Sequence, residues 1–582
     1  MNETILSSKQ VIQQQHKTIN NLNLLVQCLN NVDQLNFPGQ CYMMDFQDGS
    51  CSQKIYLTSF DITAVTNTVN MDGFDRGYVF NSTTEIQNAF IDVSDYIYST
   101  TQPLFQTQST FTNLKIQFGT QTLKDSGSFI VTSASITINQ MSIISRRKCD
   151  ITLNSAALLN IITVQPTNTI IANLLVNLCF QHSNGNITLF NSINGIFNIS
   201  GYQVLGTYDS TCTVAMIGLN VKTAAVYVNQ VSFKPCTYNV GNSSSYLFGN
   251  AITPNNTITI NNFAVLIGNK TNYLLLNSIL SDDNINYYQF GGIFAFIGST
   301  SININYIIFD SYQQFSSGNI SQSGFLVGHI TSSVILQIHN ICFQQNIIST
   351  TQEFYNFGLI GGDTGIISIQ NATITVNVQS INLYRFGIIG IHRFLSAQVV
   401  NLIVYMNISS LPGSNRVSSI IGYLGSTYCL IQNANVKGNI IGSGLESGGF
   451  IGYLQDAISN VTIENSQISQ MNFSGQSAVG GFIGSQKSNT TILDSLILQS
   501  NISGSGYVGG FVGFSNSSIY LTNSAIRFVR ISGSSSVGIV VGFNDGGSQT
   551  IISSSSIQIY LKNILQNDCP VLSSTWSVTQ CT

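Results

Sequence analysis

The sequence has few charged residues. Asp, Glu, Lys and Arg make up 8% of its 582 residues, whereas soluble domains average about 25%. The hydrophobic fraction is an ordinary 43%, so the chain lacks the low hydrophobicity and high net charge of a disordered protein. Lys and Arg total 20 against 24 Asp and Glu, with one basic cluster at residues 146–148. Because nucleic-acid binding needs a basic stripe, this composition argues against a nucleic-acid partner.

Long hydrophobic runs are also missing. No stretch approaches the roughly 18 consecutive apolar residues that a membrane-spanning helix needs, so we expect no transmembrane segment in this chain. The first residues contain no basic segment followed by an apolar one, which is the pattern of a secretory signal peptide. The sequence as written therefore shows no export signal.

Glycine is abundant, with 49 residues, and it recurs in a short phrase of glycine, apolar residues and glycine. The clearest copies are at 448–452, 480–484 and 509–513. Successive copies close 29 to 33 residues apart. The closing glycines are Gly298, Gly328, Gly361, Gly390, Gly422, Gly452, Gly484, Gly513 and Gly542. A spacing this regular indicates a structural repeat of about 30 residues.

A second landmark follows each closing glycine by ten to thirteen residues. It is an alternating apolar run that ends in Asn or Asp, as at Asn371, Asn433 and Asn465. Looser copies upstream end at Asn139, Asn229 and Asn261, and one more ends at Asn173. Alternation with a period of two is typical of short strands separated by Gly, Ser and Asn.

Repeated short strands that cannot bury their apolar faces alone predict a stack of turns. We expect an all-β fold, a right-handed parallel β-helix or β-solenoid of about fifteen rungs (one rung being one turn of the chain). Glycine would stand where the chain turns with positive φ or where adjacent backbones crowd. Asn tolerates the left-handed region, and its amide can bond to the Asn of the next rung.

The predicted organisation has three parts. Residues 1–102 form an N-terminal cap with a helix over about 3–33, where Ile5, Ile12, Ile19 and Val26 recur every seven residues. A small β-rich region completes this cap. Residues 103–562 form the solenoid, most clearly over 290–545, and residues 563–582 form a C-terminal tail. Eleven Cys forbid complete pairing; candidate disulfides are Cys569–Cys581, Cys149–Cys179 and Cys41–Cys51.

The phrases at 449–452, 481–484 and 510–513 resemble the GLUG-motif repeats of bacterial adhesins and of the non-catalytic regions of IgA-cleaving peptidases, with Phe where Leu is usual. Asn-, Ser- and Ile-rich surface proteins of some protists look similar. The resemblance implies surface-exposed β-solenoid repeats and is clear over residues 290–545. No H-E-x-x-H motif of a metallopeptidase accompanies it.

Residues with catalytic chemistry are scattered. None of the five His shows the spacing of a zinc pair, and no C-x-x-C occurs. The acidic pair Asp282-Asp283 indicates a solvated loop. The nearest strong cations by rung position are Arg385 and Arg393. Asp45, Asp48, Asp72 and Asp75 lack the spacing of a calcium loop and indicate turns. We therefore predict no catalytic, cofactor-binding or metal-binding residues.

These features favour a non-catalytic β-solenoid that is extracellular or on the cell surface. Its role would be adhesion, ligand presentation or spacing, with glycans or host or cell-surface proteins as partners. Two alternatives stay open. A carbohydrate-active β-helix enzyme, a lyase or a hydrolase, would need paired carboxylates on one face. An intracellular (cytoplasmic) structural or assembly protein would agree with the missing signal peptide and the odd number of Cys.

Overall fold

A computed structural model describes the chain with gaps. The described residues are 44–45, 50–51, 80–81, 86–92, 105–106, 110–118, 121–123, 127–132, 135–145, 151–153, 158–164, 168–183, 186–210, 214–233, 237–240, 245, 247–251, 256–267, 274–277, 289–298, 300–317, 322–331, 334–348, 353–354, 356–363, 365–393, 395–410, 414–441, 444–455, 460–545, 549–553 and 556–561. Within them the fold is all-β, and they contain no helix. The predicted helix over 3–33 and the tail 563–582 lie outside the described residues.

The chain divides into two compact units, residues 1–219 with 223–240, and residues 220–222 with 241–582. The strands of the first unit, β14 running through both, are β1 Met44–Asp45, β2 Ser50–Cys51, β3 Phe80–Asn81, β4 Ile86–Asp92, β5 Phe105–Gln106, β6 Thr110–Phe118, β7 Gln121–Leu123, β8 Gly127–Thr132, β9 Ile136–Ser145, β10 Ile151–Leu153, β11 Leu158–Val164, β12 Asn168–Ser183, β13 Asn186–Ser210, β14 Val214–Phe233 and β15 Thr237–Val240. The β1–β2 pair is antiparallel.

The second unit contains many more strands. They are β16 Phe248–Ala251, β17 Asn256–Ile267, β18 Leu274–Asn277, β19 Gln289–Gly291, β20 Phe294–Ile297, β21 Thr300–Ser317, β22 Gln322–Ile330, β23 Ile335–Ile348, β24 Glu353–Phe354, β25 Phe357–Asp363, β26 Ile366–Leu383, β27 Arg385–Phe386, β28 Ile389–Arg393, β29 Ser396–Ser410, β30 Arg416–Ser418, β31 Ile421–Gly425, β32 Tyr428–Ile441, β33 Glu446–Gly448, β34 Ile451–Leu454, β35 Asn460–Glu464, β36 Gln467–Gly475, β37 Ala478–Gly480, β38 Ile483–Gln486, β39 Thr490–Leu493, β40 Leu496–Leu498, β41 Asn501–Gly504, β42 Tyr507–Gly509, β43 Val512–Ser515, β44 Ile519–Thr522, β45 Ala525–Gly533, β46 Val537–Gly538, β47 Val541–Asn544, β48 Thr550–Ser553 and β49 Ser556–Leu561.

Apart from the antiparallel β1–β2 pair, the strands pair in parallel with the equivalent strand one rung away, which confirms the predicted parallel β-solenoid. In the second unit, β21, β23, β26, β29 and β32 follow one another in register. In the first unit, β6, β9, β12 and β13 do the same. Their handedness and the expected total of about fifteen rungs stay predictions.

Columns of equivalent apolar residues form the core of each unit. One column of the second unit is fully buried and consists of Ile260, Ile304, Ile338, Ile369, Val399, Ile431, Ile463, Ile492 and Leu521. The first unit has Phe111, Ile138, Ile171 and Ile199 in register. Full burial of such a side chain contributes about 1.5–3 kcal/mol, so the repeated Ile and Val positions explain why the rungs stack.

The Asn landmark is the corner of the rung, as predicted. Asn371, Asn401 and Asn433 have φ of 55°, 56° and 53° and lie in one column. Asn401 Nδ2 donates to Asn371 Oδ1 over 2.9 Å, and Asn433 Nδ2 donates to Asn401 Oδ1 over 3.0 Å. The side-chain amide therefore satisfies a neighbour while the backbone occupies the left-handed region.

The corner lies one residue later than the sequence predicts in three upstream rungs. The left-handed residue is Gln140, Gln230 or Asn262, directly after the predicted Asn139, Asn229 and Asn261. The preceding Asn does not have a positive φ in any of the three. Burial alternation decides the corner, because the residue after it must return to the core, as buried Phe263 does.

Buried serines follow the corner in the last rungs. Ser466 and Ser495 lie directly after left-handed corner residues. The backbone N–H of Ser466 donates to Ser495 Oγ over 3.3 Å, and Ser495 Oγ donates to the carbonyl of Leu493 over 2.6 Å. A small hydroxyl thus supplies the hydrogen bonds that the sharp turn removes from the backbone ladder, as buried polar groups require.

The closing glycines from Gly390 to Gly542 serve close packing and not a positive φ. A Cβ on Gly484 would lie 2.5 Å from the carbonyl oxygen of Gly452, and one on Gly513 would lie 2.6 Å from that of Gly484. None of these three has a positive φ. Of the two reasons expected for glycine here, the approach of adjacent backbones is the one that applies.

Replacing Gly484 with Ala should destabilise the protein. The new methyl group would meet backbone atoms on the neighbouring rung, which cannot move without breaking the register, so we expect a loss of about 1–3 kcal/mol. Urea unfolding followed by circular dichroism measures it. Gly425→Ala is the matched control, because its Cβ would meet side-chain atoms at 3.2 Å and beyond. Equal stability of the two variants would contradict the crowding explanation.

Two substitutions at Asn433 should separate backbone from side-chain effects. Asn433→Gly and Asn433→Ala both remove the amide bond to Asn401, but only Ala resists φ of 53°. Because a left-handed Ala costs about 1–2 kcal/mol, we expect the Ala variant to be the less stable one by roughly 1 kcal/mol. The comparison uses urea midpoints, and a Gly variant less stable than the Ala variant would rule out backbone strain as the main cost.

Candidate functional site

Two adjoining columns of the second unit bring charged and aromatic residues together. In one, Arg385, Arg416 and Glu446 occupy equivalent positions of β27, β30 and β33. In the other, Ile391, Tyr423 and Tyr453 occupy equivalent positions of β28, β31 and β34. We call Arg385, Arg393, Arg416, Tyr423, Tyr453, Glu446 and Lys487 the Arg–Tyr cluster.

The tyrosines form the floor of the cluster. Tyr423 and Tyr453 are buried, at 5% and 8% exposure, and their rings stack with centroids 5.4 Å apart. The Cζ atom of Arg416 lies 4.8 Å from the Tyr423 centroid and 4.0 Å from that of Tyr453. Those of Arg385 and Arg393 lie 5.0 and 5.3 Å from the Tyr423 centroid. These distances allow cation–π attraction, so the Tyr423 ring interacts with three guanidinium groups.

Hydrogen bonds satisfy only part of the cluster. Arg416 Nε donates to Glu446 Oε2 over 2.8 Å, and Arg385 Nη1 donates to Asn356 Oδ1 over 3.0 Å. The buried Arg393 Nε has no hydrogen-bond acceptor. Lys487 adds an ammonium group 5.8 Å from the Tyr453 centroid.

The charges of the cluster do not balance. Burial, together with the positive charges of Arg416 and Arg393, lowers the pKa of Arg385 to about 10, against an opposing effect of Tyr423. Burial also raises the pKa of Glu446 above its ordinary value, although Arg416 and Lys487 favour the carboxylate. Among the described side chains, three guanidinium groups therefore lie around one carboxylate, that of Glu446, and these four groups together carry a net positive charge.

The sequence drew attention to Arg385 and Arg393 only as cations near Asp282-Asp283, which lies outside the described residues. The structure brings these two arginines together with Arg416, which the sequence analysis missed. The signal was present: Arg416 follows Arg385 by 31 residues and Glu446 follows by another 30, which is one rung in each case. Residues at the repeat spacing stack, so charges at that spacing become neighbours.

The other candidate positions do not come together. The His329 ring lies tilted against Phe296 with centroids 5.4 Å apart, and burial lowers the pKa of His329. His339 lies on another strand, β23. Within the described ranges, no three His, Cys, Asp or Glu side chains are grouped as metal ligands. Asp48, Asp72, Asp75, Cys41, Cys149, Cys569 and Cys581 lie outside the described residues. The predicted disulfides therefore stay predictions.

A second repeated feature lies on the exposed surface. Asn377, Asn407, Asn439, Asn472 and Asn501 each donate through Nδ2 to the Oδ1 of the equivalent Asn one rung before, starting at Asn346. The bond lengths run from 2.6 to 3.0 Å. We call these six residues the Asn ladder. It is a row of amides held at a fixed spacing of about 4.8 Å.

Comparison of the chain with protein-family models, with curated proteins and with solved structures found no match in any of the three. The resemblance to GLUG-motif repeats stays a prediction. In the part of the chain that the structure describes, no helix is long and apolar enough to cross a membrane.

Arg416→Gln should destabilise the protein in a pH-dependent way. Loss of the charge-assisted bond leaves the Glu446 carboxylate half-buried without its partner, at a cost of about 1–3 kcal/mol near neutral pH. The pKa of Glu446 then rises further, so the folded state keeps a proton that the unfolded chain has released. The free energy of unfolding of the variant therefore falls as the pH rises through the folded-state pKa of Glu446. Below pH 4.5, the ordinary pKa of a Glu side chain, the carboxyl is protonated in both states and this destabilisation disappears.

Urea unfolding at several pH values between about 4 and 8 measures this effect. The control is the double variant Arg416→Gln with Glu446→Gln, which has no carboxylate to protonate. It should lack the additional pH dependence. The same pH profile for the single and the double variant would show that Glu446 is not the titrating group.

Proposed function

We propose that this chain is a non-catalytic β-solenoid of the cell surface or the secreted space that binds glycans or cell-surface proteins in adhesion. The observation that carries the proposal is the Asn ladder. Each of the four inner amides uses one N–H and one oxygen lone pair within the ladder, and it has a second N–H and a second lone pair for a ligand. A row of such groups complements the hydroxyls of an extended saccharide.

The low charge of the solenoid supports this role. Stacked rungs carry Ser, Thr, Asn and Gln at many exposed or partly exposed positions, and the partly exposed Thr462 and Thr491 are one such pair of neighbours. Neutral polar faces bind neutral saccharides through hydrogen bonds that need little desolvation of charge. The regular rungs also keep the ladder rigid, which lowers the entropy cost of binding. The resemblance to GLUG-motif repeats agrees with a surface role.

The direct test is a glycan array probed with the full chain, together with surface labelling of intact cells. We expect binding to neutral saccharides, and loss of that binding when Asn407 and Asn439 are both replaced by Ser. The matched control is Asn460→Ser, an exposed Asn outside the ladder. Detection of the protein only inside intact cells, without glycan binding, would contradict the proposal and favour the intracellular assembly role.

A further inference from the structure

The Arg–Tyr cluster departs from the rule that governs the rest of the solenoid. Like charges directly opposite each other on neighbouring strands destabilise a sheet, and Arg385 and Arg416 are direct partners in the parallel register. Of the seven Lys and Arg residues between 290 and 545, four belong to this cluster. A neutral polar residue would fit the column better, as Asn356 does at the neighbouring rung.

The arginines of the cluster have more N–H donors than the described side chains offer acceptors. Among the described residues, the three guanidinium groups contact two side-chain acceptors, Asn356 Oδ1 and Glu446 Oε2. Each guanidinium carries five N–H donors, so most of them have no acceptor among the described side chains. The buried Nε of Arg393 is one of these. Burial of such donors is costly unless an acceptor joins them.

Gly425 leaves room at the same place. It is the equivalent of Arg393 on the next rung, and it is partly exposed. A Cβ on Gly425 would have as its nearest neighbours Gln455 Oε1 at 3.2 Å, Tyr423 Cε1 at 3.4 Å and Arg393 Cγ at 3.8 Å. A larger side chain there would therefore lie against Arg393 and the Tyr423 ring.

We propose that the Arg–Tyr cluster is an oxyanion site that takes the carboxylate or sulfate group of an acidic glycan. The guanidinium fork matches both groups, because it donates two parallel hydrogen bonds to a pair of oxygens. The ligand then offsets part of the net positive charge of the cluster, and the stacked tyrosines hold the guanidinium groups in place. The glycan part rests on the proposed function, whereas the anion part rests on the cluster alone.

The experiment measures binding of inorganic sulfate to the full chain by isothermal titration calorimetry. The double variant Arg385→Gln with Arg393→Gln should lower the affinity by about tenfold or more, because it removes charge-assisted hydrogen bonds. The matched control is Arg527→Gln with Arg530→Gln, which changes the net charge equally at two exposed arginines on β45. The control should bind sulfate as the unmodified protein does.

Two further variants leave all three arginines in place. Glu446→Gln removes the competing carboxylate and frees Arg416, so sulfate should bind several-fold more tightly than to the unmodified protein. Gly425→Leu changes no charge but fills the space beside Arg393, so sulfate should bind more weakly. Equal losses in the two double arginine variants, or no gain with Glu446→Gln, would overturn the oxyanion site.

Three polysaccharides then distinguish the source of the anion. A polyuronate presents carboxylates, a sulfated polysaccharide presents sulfate esters, and a neutral glucan presents neither. We expect the Arg385→Gln, Arg393→Gln variant to bind the acidic polysaccharide more weakly than the unmodified protein does. The variant in which Ser replaces Asn407 and Asn439 should instead bind the neutral glucan more weakly. If the variants change sulfate binding as expected but the protein does not prefer an acidic polysaccharide, the glycan assignment is overturned. If the protein binds no glycan at all, the proposed function is overturned as well.

Discussion

The parallel backbone ladder between successive rungs is the constraint on which the rest of the structure depends. Each residue lies about 4.8 Å from its equivalent one rung away, so a side chain must be compatible with its own column. Apolar columns such as Ile304, Ile338 and Ile369 then build the core. Amide columns satisfy each other's hydrogen bonds. The same constraint disfavours a column of like charges and explains why charged residues are rare in this chain.

Glycine and asparagine divide the special backbone positions between them. Closing glycines such as Gly484 lie where neighbouring backbones approach too closely for a Cβ. Asparagines such as Asn433 lie where φ is positive and where the side chain can bond to the next rung. Glycine would also accept the positive φ, but it would lose the bond. A corner therefore favours Asn when the ladder continues on both sides.

The repeat could be recognised from the sequence because its period appears in Gly and Asn, at positions where the backbone tolerates few other residues. Nine closing glycines and their following Asn indicated the rungs and the parallel stacking. The corner at Gln140, Gln230 and Asn262 was displaced by one residue, because the sequence shows alternation but not which residue turns. The Arg–Tyr cluster was missed because its members are distant in sequence, and only registration of one rung on the next makes Arg385 and Arg416 neighbours.

The Arg–Tyr cluster also shows what the parallel backbone ladder costs where it places like charges side by side. Stacking fixes Arg385 and Arg416 close together whatever their charge, so their repulsion cannot be relieved by moving apart. The Tyr423 ring offsets part of it by cation–π attraction, and Glu446 offsets another part. Because neither balances the full charge, an anion from solution has more to gain here than at an isolated surface arginine. A rigid column of like charges is thus unfavourable for folding and favourable for binding, for the same geometric reason.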